Sequence, residues 1–217
     1  MHVDVARQIG AVTRTVTDRE HEGKPARAVI AVRDYSGGID DVWDALTNPE
    51  RLPRWFLPVS GDLKLGGRYQ FQGNAGGTIT TCEPPTRLGA TWEYGGGMSW
   101  VEVRLTQAGE DRTRLELEHT ALIADVGPFW NQFGPGATGV GWDLGLMGLD
   151  LYLTTGAANN PEQSAEWTAS AEGKAFMKGS SDGWGQAAIA FGDTPETAKA
   201  AAERTRAFYT GETPAGG

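Results

Sequence analysis

Residues 134–155 place their apolar side chains on two opposite sides of a helix. At about 100° per residue, Val140, Leu144, Met147 and Leu151 share one side, and Trp142, Leu146, Leu149 and Leu153 share the other. Gly141, Gly145, Gly148 and Tyr152 run along one edge between them; Asp143, Asp150 and Thr154 run along the other. A helix apolar on two faces must be covered on two faces. We expect an antiparallel sheet on one face and residues 160–210 on the other. Each interior glycine costs about 0.5–1 kcal/mol relative to alanine, so the glycine edge serves close packing or leaves volume open. A bound molecule is expected beside that edge.

Upstream the period is two. Residues 12–21 are rich in β-branched side chains and read as a strand, 22–25 as a turn, and 27–35 as the returning strand. Residues 39–46 read as a short helix with Asp40 as N-cap, and Asn48-Pro49 starts a second helix carrying Leu52, Trp55 and Phe56. Leu63 and Leu65 precede a Gly66-Gly67 bend, after which Tyr69 and Phe71 share a face. Residues 78–82 and three alternations complete a meander of half-buried antiparallel strands: Leu88/Ala90/Trp92/Tyr94, Val101/Val103/Leu105 and Leu115/Leu117/His119. Residues 122–136 read as a loop holding Phe129, Trp130 and Phe133. Asn159-Asn-Pro161 breaks the pattern, residues 173–191 return to helical spacing, and Thr194-Pro195 caps a last helix. Residues 1–11 suggest a short helix and residues 211–217 a frayed tail.

The 217-residue chain carries a formal charge of −9, which argues against nucleic acid or an anionic membrane surface as partner. Its single cysteine, Cys82, forms no intramolecular disulfide and fits a reducing compartment. Residues 1–7 lack the apolar core of a signal peptide, and no eighteen-residue apolar window occurs. A cytoplasmic location is expected.

The order of elements is that of a helix-grip fold, and particular motifs agree with it. Val42-Trp-Asp-Ala-Leu-Thr-Asn-Pro-Glu-Arg-Leu-Pro-Arg-Trp-Phe-Leu-Pro58 resembles the signature of the SRPBCC (START-like) superfamily. Within it, the chain is similar to the branch of homologues of the heat-shock chaperone ATPase activator. Gly61-Asp-Leu-Lys-Leu-Gly-Gly-Arg-Tyr69, Cys82-Glu-Pro-Pro-Thr-Arg-Leu88, Thr113-Arg-Leu-Glu-Leu-Glu-His-Thr120 and Gly141-Trp142 follow in the branch's order. The resemblance covers about residues 26–156. It implies an α+β fold in which a curved antiparallel sheet grips a long C-terminal helix, with a cavity between them. Superfamily members include lipid carriers, hormone receptors and polyketide cyclases, and no fixed catalytic set travels with this branch, so no catalytic residue is assigned. The N-terminal strand and residues 158–217 depart from the plain branch. We therefore divide the chain into a helix-grip domain with an N-terminal extension (1–157) and a helical C-terminal extension (158–217). That extension packs on the domain or reaches a second subunit to make a homodimer.

Gly134-x-Gly136-x-x-Gly139 satisfies a dinucleotide pattern, but an aromatic loop precedes it and the sheet reads antiparallel, so it is loop chemistry. His119 is in phase with Leu115 and Leu117 and faces the core side. It is either a polar anchor or acid/base in the cavity, or a buried imidazole satisfied by a backbone carbonyl; the second is favoured because no partner group is visible. Asp143 and Asp150 read as a solvated helix edge. No His/Cys/carboxylate grouping has metal-site spacing, and neither metal nor cofactor is expected. The candidate ligand-binding residues are Tyr69, Trp92, Tyr94, His119, Phe129, Trp130 and Trp142, since pockets combine aromatic walls with a few polar tips. The expected function is binding of a small hydrophobic or aromatic molecule with no defined reaction. The alternatives are a cyclase- or hydrolase-type enzyme using a cavity acid/base, and a chaperone-regulating module.

Overall fold

The computed structural model describes residues 2–212. Helix α1 (Val5–Gly10) is started by Asp4, whose carboxylate accepts the Arg7 N–H. Strands β1 (Thr13–His21) and β2 (Lys24–Ser36) form a hairpin. Its two-residue turn, Glu22-Gly23, has φ of 49° and 75°, the doubly positive geometry that matches strand twist. In α2 (Ile39–Thr47) the N-cap is Gly38 rather than Asp40; Asp40 and Asp41 instead lie in the first turn, beside the positive end of the helix dipole. The helix expected after Asn48-Pro49 contracts to a single 3₁₀ turn, Leu52–Arg54. Pro53 has no N–H with which to continue an α ladder.

Six further strands follow as β3 (Val59–Gly61), β4 (Arg68–Phe71), β5 (Gly76–Glu83), β6 (Arg87–Tyr94), β7 (Gly97–Gly109) and β8 (Arg112–Leu122). All eight strands join one antiparallel, curved sheet in the order β1-β2-β8-β7-β6-β5-β4-β3. β3 was not anticipated; the strand lies before Leu63 and Leu65, which occupy the connection, and Leu65 is 61% exposed.

Residues 122–136 are not a loop. They hold α3 (Ile123–Phe133), in which Pro128 sacrifices one hydrogen bond, that to the Ala124 carbonyl. α3 stops at Gly134, with φ 58° and ψ −151°, a conformation essentially confined to glycine. The hub is α4 (Gly136–Thr155). Beyond it come α5 (Pro161–Ala169), α6 (Ala171–Phe191) and α7 (Pro195–Thr210). α5 was hidden because Asn160-Pro161 punctuates a chain equally well as a break or as a capped helix start, and here it is the start. Thr194 caps α7 as expected. Residues 213–217, most of the expected tail, lie outside the described residues.

The two-sided reading of α4 describes the packing. Trp142, Leu146 and Leu149 face the sheet side, while Val140 and Met147 join a cluster with Phe176, Met177 and Trp184 of α6 in the same chain. The edges differ from expectation. A Cβ on Gly148 would lie 2.6 Å from the Trp55 carbonyl oxygen, and one on Gly139 would lie 2.2 Å from the Trp184 ring. Those glycines exist for close approach. Gly145, whose Cβ would sit 3.3 Å from the Phe56 ring, is the one glycine of the edge that also borders open volume.

Asp143 and Asp150 are not solvated; they are 1% and 6% exposed. Asp143 accepts from Arg14 Nε at 2.9 Å, from Trp184 Nε1 at 3.1 Å and from the Ser180 hydroxyl. Asp150 accepts from Arg7 at 2.7 Å and Gln8 at 2.8 Å, and pairs with Arg33 at 3.0 Å. Burial pushes the Asp143 carboxyl upward against the pull of Arg14. At Asp150 the hydrogen bond from Gln8 and the charges of Arg33 and Arg7 outweigh burial, and the carboxyl falls below its ordinary range.

Candidate functional site

Between the concave face of the sheet and α4 lies a cavity of about 150 Å³. Strands β4 to β8 supply inward-facing side chains at alternate positions, among them Tyr69, Phe71, Ile79, Leu88, Ala90, Trp92 and Leu117. α4 contributes Trp142, Gly145, Leu146 and Leu149, and the short segment around the 3₁₀ turn contributes Leu52, Trp55 and Phe56. Among the described residues the lining holds no carboxylate, lysine, arginine or histidine.

The aromatic rings form a continuous set. Phe56 lies nearly parallel to Trp142 with centroids 6.3 Å apart; Trp92 is 5.0 Å from Trp142 and 5.9 Å from Phe71; Phe71 meets Phe56 edge-on at 5.0 Å and Tyr69 at 5.3 Å. The 3₁₀ segment is clamped over this wall. Trp55 donates its indole N–H to the Ala45 carbonyl, Arg51 reaches Asp41, Asp44 and the Tyr152 hydroxyl, and Arg54 donates to the Gly156 carbonyl.

The expected site residues separate into three groups. Tyr69, Trp92 and Trp142 line the cavity. His119 lies behind it: its Nδ1 accepts the Trp142 indole N–H at 2.9 Å, and its Nε2 is 2.7 Å from the Ser99 hydroxyl, which donates to the Trp92 carbonyl at 3.2 Å. The imidazole is therefore neutral with its proton on Nε2, and its partners are side chains rather than a backbone carbonyl. Burial draws its pKa down to about 4. Tyr94, Phe129 and Trp130 lie elsewhere. Tyr94 is 63% exposed, because β6 has run past the cavity into the Gly95-Gly96 turn by that point. Phe129 is 47% exposed on α3 and packs on Phe133. The Trp130 ring lies 5.2 Å from the Arg27 guanidinium. Trp55, Phe56 and Phe71 were not among the expected site residues, although Phe71 shares the strand face of Tyr69 and was legible on that ground.

Residues 38–154 match the family described as "Activator of Hsp90 ATPase homolog 1-like protein". The chain belongs to this family. Among solved structures, the chain is similar to CalU16 from Micromonospora echinospora, at 33% identity and a TM-score of 0.64, over 84% of this chain and 99% of CalU16. DynU16, described as a protein in the dynemicin biosynthetic locus, is 26% identical with a TM-score of 0.51, over 60% of this chain and 48% of its own. A conserved protein of unknown function, EF2215 from Enterococcus faecalis, shares the fold at 19% identity and a TM-score of 0.51, over 66% of this chain and 80% of its own. No functionally curated protein matches. The likeness to CalU16 covers more of the chain than the family match does, so it takes in flanking segments as well as the grip itself. Among the described residues no helix is long and apolar enough to cross a membrane.

Proposed function

We propose that this member of the family binds a small hydrophobic or aromatic molecule between its sheet and α4, without a reaction of its own. The observation that carries the reading is the composition of the cavity wall: aromatic rings and aliphatic carbon around about 150 Å³, with no charged group. An apolar cavity of roughly that volume accommodates a benzene-sized ring. The setting of DynU16 in a biosynthetic locus supports a natural product or one of its intermediates as the ligand. A cyclase- or hydrolase-type reading would need an acid or base in the wall, and both nitrogens of His119 are engaged behind it. The chaperone-regulating alternative rests on the family description alone. The lone Cys82 supports a reducing, cytoplasmic setting.

Calorimetric titration with benzene, together with solvent extraction and mass spectrometry of the purified chain, tests the reading. The expected result is saturable binding of benzene that disappears in Gly145→Leu, where the new side chain fills the space beside Phe56. A chain that carries no extractable small molecule and takes up no benzene would overturn it.

A further inference from the structure

The wall of the cavity has almost no hydrogen-bond donor left to offer. Trp142 gives its indole N–H to His119 Nδ1 at 2.9 Å, and Trp55 gives its own to the Ala45 carbonyl at 2.8 Å. The Tyr69 hydroxyl donates to the Thr91 carbonyl at 2.7 Å, and the Thr47 hydroxyl to the Trp43 carbonyl at 2.8 Å. Cys82 contributes a thiol, a weak donor at best. Trp92 is different. Its backbone carbonyl accepts from Ser99, but among the described residues its indole N–H has no acceptor, and it is not among the sealed, unpartnered polar atoms. Its ring sits amid the lining, 5.0 Å from Trp142 and 5.9 Å from Phe71.

Resting on the binding function argued above, we propose that the ligand is a neutral aromatic molecule bearing one hydrogen-bond acceptor, a ketone or ether oxygen, which the Trp92 indole N–H receives. An ion is disfavoured because no countercharge lines the wall and desolvating an unpaired charge is costly. A plain hydrocarbon leaves the Trp92 donor unmet. A donor-bearing ligand finds the carbonyls and imidazole nitrogen engaged, with only the Tyr69 and Thr47 hydroxyl oxygens, each turned toward a backbone carbonyl, as acceptors. Trp92 is thus the specificity-determining residue, and Trp142, locked by His119, is a ring face.

Acetophenone and ethylbenzene have the same ring and chain length and differ by one carbonyl, so they separate the two parts of the argument. Calorimetric titration of the full chain with each, repeated with Trp92→Phe, gives two ratios of dissociation constants. In Trp92→Phe the ratio is expected to move toward ethylbenzene by about 3- to 10-fold, the net worth of one neutral hydrogen bond. A measurement free of substitution runs beside it. Of the eight indole N–H resonances in a ¹H–¹⁵N spectrum, one moves downfield with acetophenone and stays in place with ethylbenzene. Binding of both compounds with an unchanged ratio and no shifted indole signal overturns this inference alone. Binding of neither overturns it together with the proposed function.

Discussion

Acidification below pH 6.5 is expected to destabilise the fold through His119. The ring is partly buried between Trp142 and Ser99, and its Nδ1 must stay unprotonated to accept the Trp142 indole N–H. In the unfolded chain the imidazole has its ordinary value of 6.5, and in the fold burial lowers it to about 4. The unfolded state therefore binds the extra proton first, and stability rises with pH across this window. The contribution is fully present above the unfolded value and is lost as pH falls, completely so once pH is below about 4. At 1.36 kcal/mol for each pKa step, the total is about 3 kcal/mol, of which about 2.5 kcal/mol is gone by pH 4.5. Other groups titrate there too, so the comparison is with His119→Gln, whose amide can accept from Trp142 and donate to Ser99 but has no proton to gain. Urea unfolding of both proteins between pH 7 and pH 4.5 gives the difference. The native protein should lose about 2.5 kcal/mol relative to the variant. Parallel stability curves would show that the imidazole is not held neutral by this pocket and would remove the case for Trp142 as a fixed wall.

Gly148→Ala should destabilise the fold by about 1–3 kcal/mol, because the Trp55 carbonyl stands 2.6 Å from the added carbon and backbone cannot swing aside; thermal unfolding measures it. Gly145→Ala, with 3.3 Å to a Phe56 ring, should cost less, and equal losses would contradict the distinction drawn between the two glycines. Arg14→Met strands the buried Asp143 and should cost about 3–5 kcal/mol in urea unfolding, largely recovered in Arg14→Met/Asp143→Leu. A chain ended at Gly156 should be insoluble, since it bares Val140 and Met147; a folded monomer by gel filtration would show that the outer helices are dispensable.

The strands and the hub were legible because their patterns are long. Alternation over β6, β7 and β8 leaves one register, and the two-sided apolar pattern of α4 leaves two covered faces. What escaped depends on where an element ends. Leu88, Ala90, Trp92 and Tyr94 share a strand face, but sequence cannot say that the cavity stops before Tyr94. Gly127 and Pro128 carried loop chemistry into a helix that forms against β2, β8 and α7. The glycine edge offered two readings, space or contact, that only the position of the Trp55 carbonyl separates.

The acidic edge was misread for a reason that also explains the architecture. Two carboxylates seven residues apart on a helix ordinarily mark a solvated face, because an isolated carboxylate is too costly to bury. They are buried here because Arg7, Gln8, Arg14, Arg33, Ser180 and Trp184 meet them. Every one of those partners lies outside residues 38–154, the stretch that matches the family. The cavity face of α4 is therefore built within the family stretch, whereas its acidic edge is answered wholly by the flanking segments. Since an unpaired buried charge costs far more than a well-packed apolar substitute, the flanks and the edge stand or fall together. A chain with this Asp143 and Asp150 but without those partners would have to replace both residues to keep the same helix buried on two sides.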